Sequence, residues 1–128
     1  MLTTEIKGTA KITVTEEVTA KVVGSGMLEV FATPSMIALI EKVAAESVAS
    51  TLDEGMTTVG TKLDVEHTAA TPIGMTVTAE TELVEIDGRR LVFSVRAADE
   101  AGEIGHGTHE RFIVNAEKFL AKTNAKKS

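Results

Sequence analysis

The chain has 128 residues, a formal net charge of −6 at pH 7, and hydrophobic residues over 43% of its length. That is enough apolar material for a core, and one domain over residues 1–128 is expected, with a polar tail from about residue 121. Cysteine is absent, which removes disulfides, thiolate metal sites and a cysteine nucleophile. The charge is mixed and acidic, and Trp and Tyr are missing. These features argue against nucleic acid as a partner. The N-terminal MLTTEIKGTAK holds no apolar signal core, and no apolar run is long enough to span a bilayer. A cytoplasmic protein with no membrane partner is expected.

In chain order, residues 3–23 contain ITVTEEVTAKVV, rich in β-branched residues. They predict one strand and a second, poorly defined segment. Gly24-Ser25-Gly26 marks a turn. A long helix follows, with Thr33 as its N-cap, Pro34 as its first helical residue, and an end at Gly55 just after Leu52. The period then changes to two. Leu63, Val65 and His67 share one strand face, while Lys62, Asp64 and Glu66 share the other. After the loop TAATPIG comes the strand MTVTAETELVEI. Asp87-Gly88 signals a hairpin into RRLVFSVRAADE. A second turn at Glu100–Gly102 leads into EIGHGTHERFIVNAEKF, and the tail AKTNAKKS is polar and frayed.

A strand, one long helix and about four hairpin-joined antiparallel strands define an α+β protein. The apolar stripe of the helix must be buried on the sheet. A sheet this long wraps around the one central helix, which is the hot-dog architecture. Sheet surface or edge left uncovered predicts a homodimer or higher homo-oligomer.

Two residues stand out in that layout. On a helical wheel Glu41 falls in the stripe of Ile37, Ala44, Val48 and Leu52, at the border of the core, whereas Glu46 lies off it. A carboxylate there either pairs with a buried cation or acts as a base or nucleophile in a half-dry cleft. His67 ends a strand on its apolar face, where a histidine is either a satisfied core residue or a catalyst at a strand-to-loop junction. His106 and His109 are three apart on a strand and point to opposite faces. No cysteine or further histidine joins them, so no metal site is expected. Gly24-Ser25-Gly26 lacks a phosphate-loop context, and no G-x-S-x-G elbow is present.

ATPSMIALIE, TTVGTKLDVEHTAATPIGMTV, the DGRR hairpin and EIGHGTHERFIV together resemble the fluoroacetyl-CoA thioesterase family of hot-dog proteins, over most of residues 30–119. HTAATP and GTHER are the most specific segments. The resemblance implies hydrolysis of short acyl-CoA thioesters without metal or other cofactor. It implies Thr33, Glu41 and His67 as catalytic residues, Gly60 against the bound acyl group, and Arg111 as a further substrate-site residue. It departs ahead of the threonine. Where the fluoroacetyl specialist carries a phenylalanine-bearing lid, this chain has GSGMLEVF, with Gly24 and Met27 at or near those positions. A thioesterase-like site follows, with no basis for naming fluoroacetyl-CoA as its substrate.

Thr33 and Glu41 are eight residues apart, roughly 12 Å along a regular helix at about 1.5 Å per residue. Three arrangements are open. The helix starts later, or the two side chains meet different parts of the substrate, or one of them serves the neighbouring subunit's site. Two other functions also fit a hot-dog chain: a module that binds an acyl thioester without turnover, and a dehydratase of hydroxyacyl thioesters.

Overall fold

The computed structural model describes residues 1–127. Five strands, β1 (Lys7–Thr13), β2 (Met56–His67), β3 (Thr76–Asp87), β4 (Arg90–Asp99) and β5 (Gly102–Asn115), form one sheet in the order β1-β3-β4-β5-β2. Every neighbouring pair is antiparallel. The helix α2 (Thr33–Ala49) packs across this sheet, against β1, β2, β3 and β4. This is the hot-dog arrangement read from the sequence.

The β3–β4 hairpin closes through Gly88 and Arg89. Gly88 has φ +61° and Arg89 is not in the positive-φ region. That is the sign pattern of a type II′ turn, whose twist matches the flanking strands. Alternation then does the rest. Val77, Ala79 and Leu83 of β3, Leu91, Phe93 and Val95 of β4, and Ile104 of β5 turn inward and are buried. They meet Met36, Ile40, Val43, Ala44 and Val48 of α2.

The buried helical stripe is therefore centred one position away from the predicted one. Ile37 and Glu41 flank it as half-buried residues, and Leu52 lies beyond the helix. The helix ends at Ala49 because Thr51 turns back. Its N–H and its hydroxyl both donate to the carbonyl of Val48. Gly55, at φ +84°, belongs to the turn into β2 rather than to the helix end.

Two further expectations are corrected, and a third segment gains a definite form. Thr33 is the first helical residue, not the N-cap. Ala32 occupies the cap position in an extended conformation, and its N–H is tied to the carbonyl of Val18. In the poorly defined stretch after β1, Glu16–Val18 forms a 3-10 turn and α1 (Ala20–Val23) a single helical turn, with the Thr19 side chain accepting from Val22 N–H. The tail is not frayed throughout. Asn115 caps α3 (Ala116–Asn124) by accepting from Lys118 N–H, and a 3-10 turn covers Ala125–Lys127. Among the described residues, no helix is long and apolar enough to cross a membrane.

Ile40 is fully buried at the centre of the α2 stripe, whereas Glu46 faces solvent. Ile40→Ala is expected to cost about 2–5 kcal/mol of unfolding free energy. Glu46→Ala should change it by less than about 0.5 kcal/mol. Urea unfolding of both variants checks this orientation of the helix, and equal losses would contradict it.

Candidate active site

The sequence-predicted residues fall into two groups within one chain. The first sits where β2 runs out and α2 begins. Freed from capping, Thr33 Oγ1 shares a 2.7 Å hydrogen bond with His67 Nδ1. His67 Nε2 is buried and has no hydrogen-bond partner among the described residues. Desolvation lowers the His67 pKa, against a smaller opposing effect of a backbone hydrogen bond at Ala69, so the neutral imidazole is favoured.

A cleft of about 270 Å³ opens beside this pair, lined in part by Ser25, Val30, Phe31, Thr33 and His67. Its wall is the segment between α1 and α2. Bridges Thr19–Phe31 and Val30–Pro72, and the hydrogen bond from Phe31 N–H to Thr71 O, pin that segment down. Phe31 is buried, whereas Met27 at the tip is 88% exposed and Leu28 69%.

The second group joins the middle of α2 to the middle of β2 and β5. Glu41 Oε2 lies 3.7 Å from Arg111 Nη1, with the glutamate side chain 40% exposed and the arginine 8%. Gly60 makes this approach possible. A Cβ at that position would lie 2.5 Å from Glu41 Oε2 and 3.2 Å from Arg111 Nη1. Any side chain there would displace the carboxylate. The β2–β5 register slips just past Gly60, leaving Thr61 as a bulge, the kind of irregularity that re-aims groups beside a site.

Arg111 is held on three sides. Its Nε donates to Thr58 Oγ1 at 2.8 Å, Nη2 to Thr58 O at 2.9 Å, and Nη1 to His109 Nε2 at 3.1 Å. The other ring nitrogen of His109 donates to the carbonyl of Lys62 at 2.8 Å. A carbonyl can only accept, so the proton sits on Nδ1 and Nε2 is the acceptor for Arg111. Burial lowers the pKa of both His109 and Arg111. Glu41 opposes this at Arg111, and the Lys62 hydrogen bond opposes it at His109.

Thr33 and His67 are thus together, and so are Glu41, Gly60 and Arg111, but the two groups do not touch. The helix supplies roughly 12 Å between Thr33 and Glu41. Sequence reasoning missed Thr58 and treated His109 only as half of a failed metal pair. The signal for His109 was available: it shares a strand face with Arg111 two residues on. His106 does point the other way, outward, between Glu66 and Glu103.

The family of fluoroacetyl-CoA-specific thioesterases, FlK, matches residues 14–117. A fluoroacetyl-CoA thioesterase of Streptantibioticus cattleyicolor is 48% identical over 98 residues, covering 77% of this chain and 70% of that protein. A solved structure of the fluoroacetyl-CoA thioesterase FlK superposes with a TM-score of 0.93 at 38% identity, over 98% of both chains. A thioesterase superfamily member from Thermus thermophilus does so at 0.90 and 26% identity, over 98% of this chain and 93% of that one. With a match across most of its length in both sequence and structure, the chain belongs to the FlK family of acyl-CoA thioesterases, hydrolases built on the hot-dog fold.

Proposed function

We propose that this chain hydrolyses short-chain acyl-CoA thioesters to the free acid and CoA, with Glu41, His67 and Thr33 as its catalytic residues, in a homodimer whose sites are shared between subunits. One observation carries the reading. His67 is fixed at Nδ1 by Thr33, its buried Nε2 has no hydrogen-bond partner among the described residues, and desolvation lowers its pKa, which favours the neutral imidazole. In the tautomer whose Nδ1–H donates to Thr33 Oγ1, Nε2 would keep its lone pair and serve as a general base.

A neutral histidine has no spare proton for the first step, which suits Glu41 to the role of nucleophile. Its carboxylate attacks the thioester carbonyl, the C–S bond breaks, and CoA leaves as a thiolate. Water then adds to the resulting anhydride carbonyl while His67 Nε2 takes its proton. The anhydride bond breaks, the Glu41 carboxylate is regenerated, and the proton on His67 passes to the thiolate. One water is consumed, giving acid and thiol. Backbone N–H groups near Gly60, where no Cβ intervenes, would receive the developing oxyanion. Arg111 keeps a positive charge beside Glu41.

The dimer reconciles the two groups. β2 is a twelve-residue strand at one end of the sheet order, and a long bare edge invites pairing with a second copy. Antiparallel pairing of two β2 edges about a two-fold axis between Leu63 and Asp64 would set Gly60 of one chain opposite His67 of the partner subunit. Glu41 would then face the Thr33–His67 pair of the other copy. Half-buried Ile37, Val59, Leu63 and Val65 supply apolar surface along that seam.

Glu41→Gln keeps the shape and removes the carboxylate. Turnover, followed as thiol release from a panel of short acyl-CoAs, should fall by roughly 10²–10⁴-fold, with little change in stability. Parental turnover in this variant would exclude Glu41 from the chemistry. A pure binding module would release no thiol from any member of the panel.

The shared site has its own test. Glu41→Gln and His67→Asn proteins, each inactive, are mixed and allowed to exchange subunits. A mixed dimer contains one intact site, so activity should return. Light scattering should show a dimer, and a mixture that stays inactive despite exchange would place Glu41 and His67 in the same subunit's site.

Substrate preference follows from the wall. Residues 24–28 carry no aromatic side chain, and Met27 stands away from the cleft in solvent. A wall this open discriminates weakly, since one methylene is worth about 1–3 kcal/mol even in a good pocket. Acetyl-CoA and other short acyl-CoAs are the expected substrates. The ratio of kcat/KM for fluoroacetyl-CoA over acetyl-CoA should stay below about a thousandfold, some 4 kcal/mol. A larger ratio would show that GSGMLEVF forms a selective lid.

A further inference from the structure

The structure assigns His109 to the reaction as a positioning residue: it holds Arg111, and through Arg111 the carboxylate of Glu41, in working geometry. This rests on the reading of Glu41 as the reacting group.

Burial sets the constraint. His109 is fully buried and Arg111 is 7% exposed, so neither finds water to satisfy it. Their hydrogen bonds form one directed chain. Lys62 O accepts from His109 Nδ1–H, and His109 Nε2 accepts from Arg111 Nη1. That same Nη1 is the guanidinium nitrogen nearest Glu41. Thr58 fixes Nε and Nη2, so His109 alone orients the third corner of the fork, the corner that meets the carboxylate. Phe93 closes the other side, with ring centroids 6.3 Å apart and planes at 29°.

The histidine must be neutral to do this. A proton on Nε2 would remove the acceptor that Nη1 has within hydrogen-bond distance among the described residues and set a second cation 3.1 Å from the guanidinium. Burial favours the neutral ring, and the nearby charges are Arg111, Glu41 and Glu110. Both ring nitrogens are already engaged within the protein, so His109 has none to offer a substrate. Its role is therefore distinct from that of His67.

Two substitutions separate positioning from packing. His109→Gln can reach the position of Nε2 with its amide oxygen and accept from Arg111. His109→Asn reaches only the Nδ1 position, so it can keep the Lys62 bond and lose the Arg111 one. Expected is a kcat loss of about 10–100-fold for His109→Asn, the usual scale for a displaced supporting group, with KM changed by less than about threefold. His109→Gln should recover most of the loss. In a Glu41→Gln background, His109→Asn should cost nothing further, because its effect runs through that carboxylate.

A purely structural role would lower the melting temperature while kcat per folded molecule stayed parental, or would multiply with the Glu41 loss. Either result overturns the proposal. If Glu41→Gln alone is fully active, both this proposal and the reading beneath it fall. If Glu41→Gln is dead and folded His109→Asn is fully active, only the positioning role falls. Should His109→Asn not fold, ¹⁵N imidazole spectra decide. The His109 Nε2 signal should move when Glu41→Gln removes the charge across Arg111, and an unmoved signal rejects the coupling.

Discussion

A guanidinium buried this deeply must find its acceptors inside the protein, and much of the local architecture answers that demand. Arg111 takes two acceptors from Thr58 on β2 and one from His109 on its own strand. The first two lie across the β2–β5 seam, so the side chain locks the edge strand to its neighbour. The third is available only because Lys62 O fixes the histidine tautomer. Lys62 lies just past the bulge at Thr61, and Gly60 just before it. One buried cation thus links the register of two strands, an irregularity between them, and the approach of a helix carboxylate over a glycine.

That arrangement also bears on why the candidate site residues gather at one edge of the sheet. The strands β3 and β4 bury their inward apolar side chains beneath α2. Beside β2 the helix presents its flank, where Ile37 and Glu41 are half-buried. Along this seam polar groups meet apolar cover without being sealed off. The Thr33–His67 pair stands at one end of the seam and the Glu41–Arg111 pair at the other. Helix rise alone keeps them apart in one chain.

Much of this was legible in the sequence because it rests on period and local chemistry. The alternation of Leu63, Val65 and His67, the Asp87-Gly88 hairpin and the long apolar helix each reflect a short-range rule. So does Glu41 at the edge of the stripe. Other features depend on groups brought together by folding. Thr33 looked like a cap because Thr-Pro suits a helix start. Its hydroxyl was drawn instead to His67, 34 residues away, while Ala32 was fixed by Val18 O. The β-branched run after β1 folds into short turns because the Thr19 side chain, not a sheet neighbour, accepts the Val22 N–H. The tail became helical through one cap, Asn115, within a stretch whose composition suggested fraying. His109 shows the same limit. Its strand face was readable, but the carbonyl that sets its tautomer belongs to a residue just past a bulge on another strand.

The separation between Glu41 and Arg111 bears on what the pair can do. Arg111 forms close hydrogen bonds to Thr58 and His109, at 2.8–3.1 Å, but stops 3.7 Å from the carboxylate. A bidentate contact would be the stronger interaction. It would also occupy both carboxylate oxygens and bury them with the guanidinium. Because Arg111 is already satisfied elsewhere, it contributes charge to Glu41 without binding it tightly, and the carboxylate remains 40% exposed with lone pairs free. A cation saturated by its neighbours can hold a carboxylate in place while leaving it able to attack, which a cation dependent on that carboxylate for its own hydrogen bonds could not do.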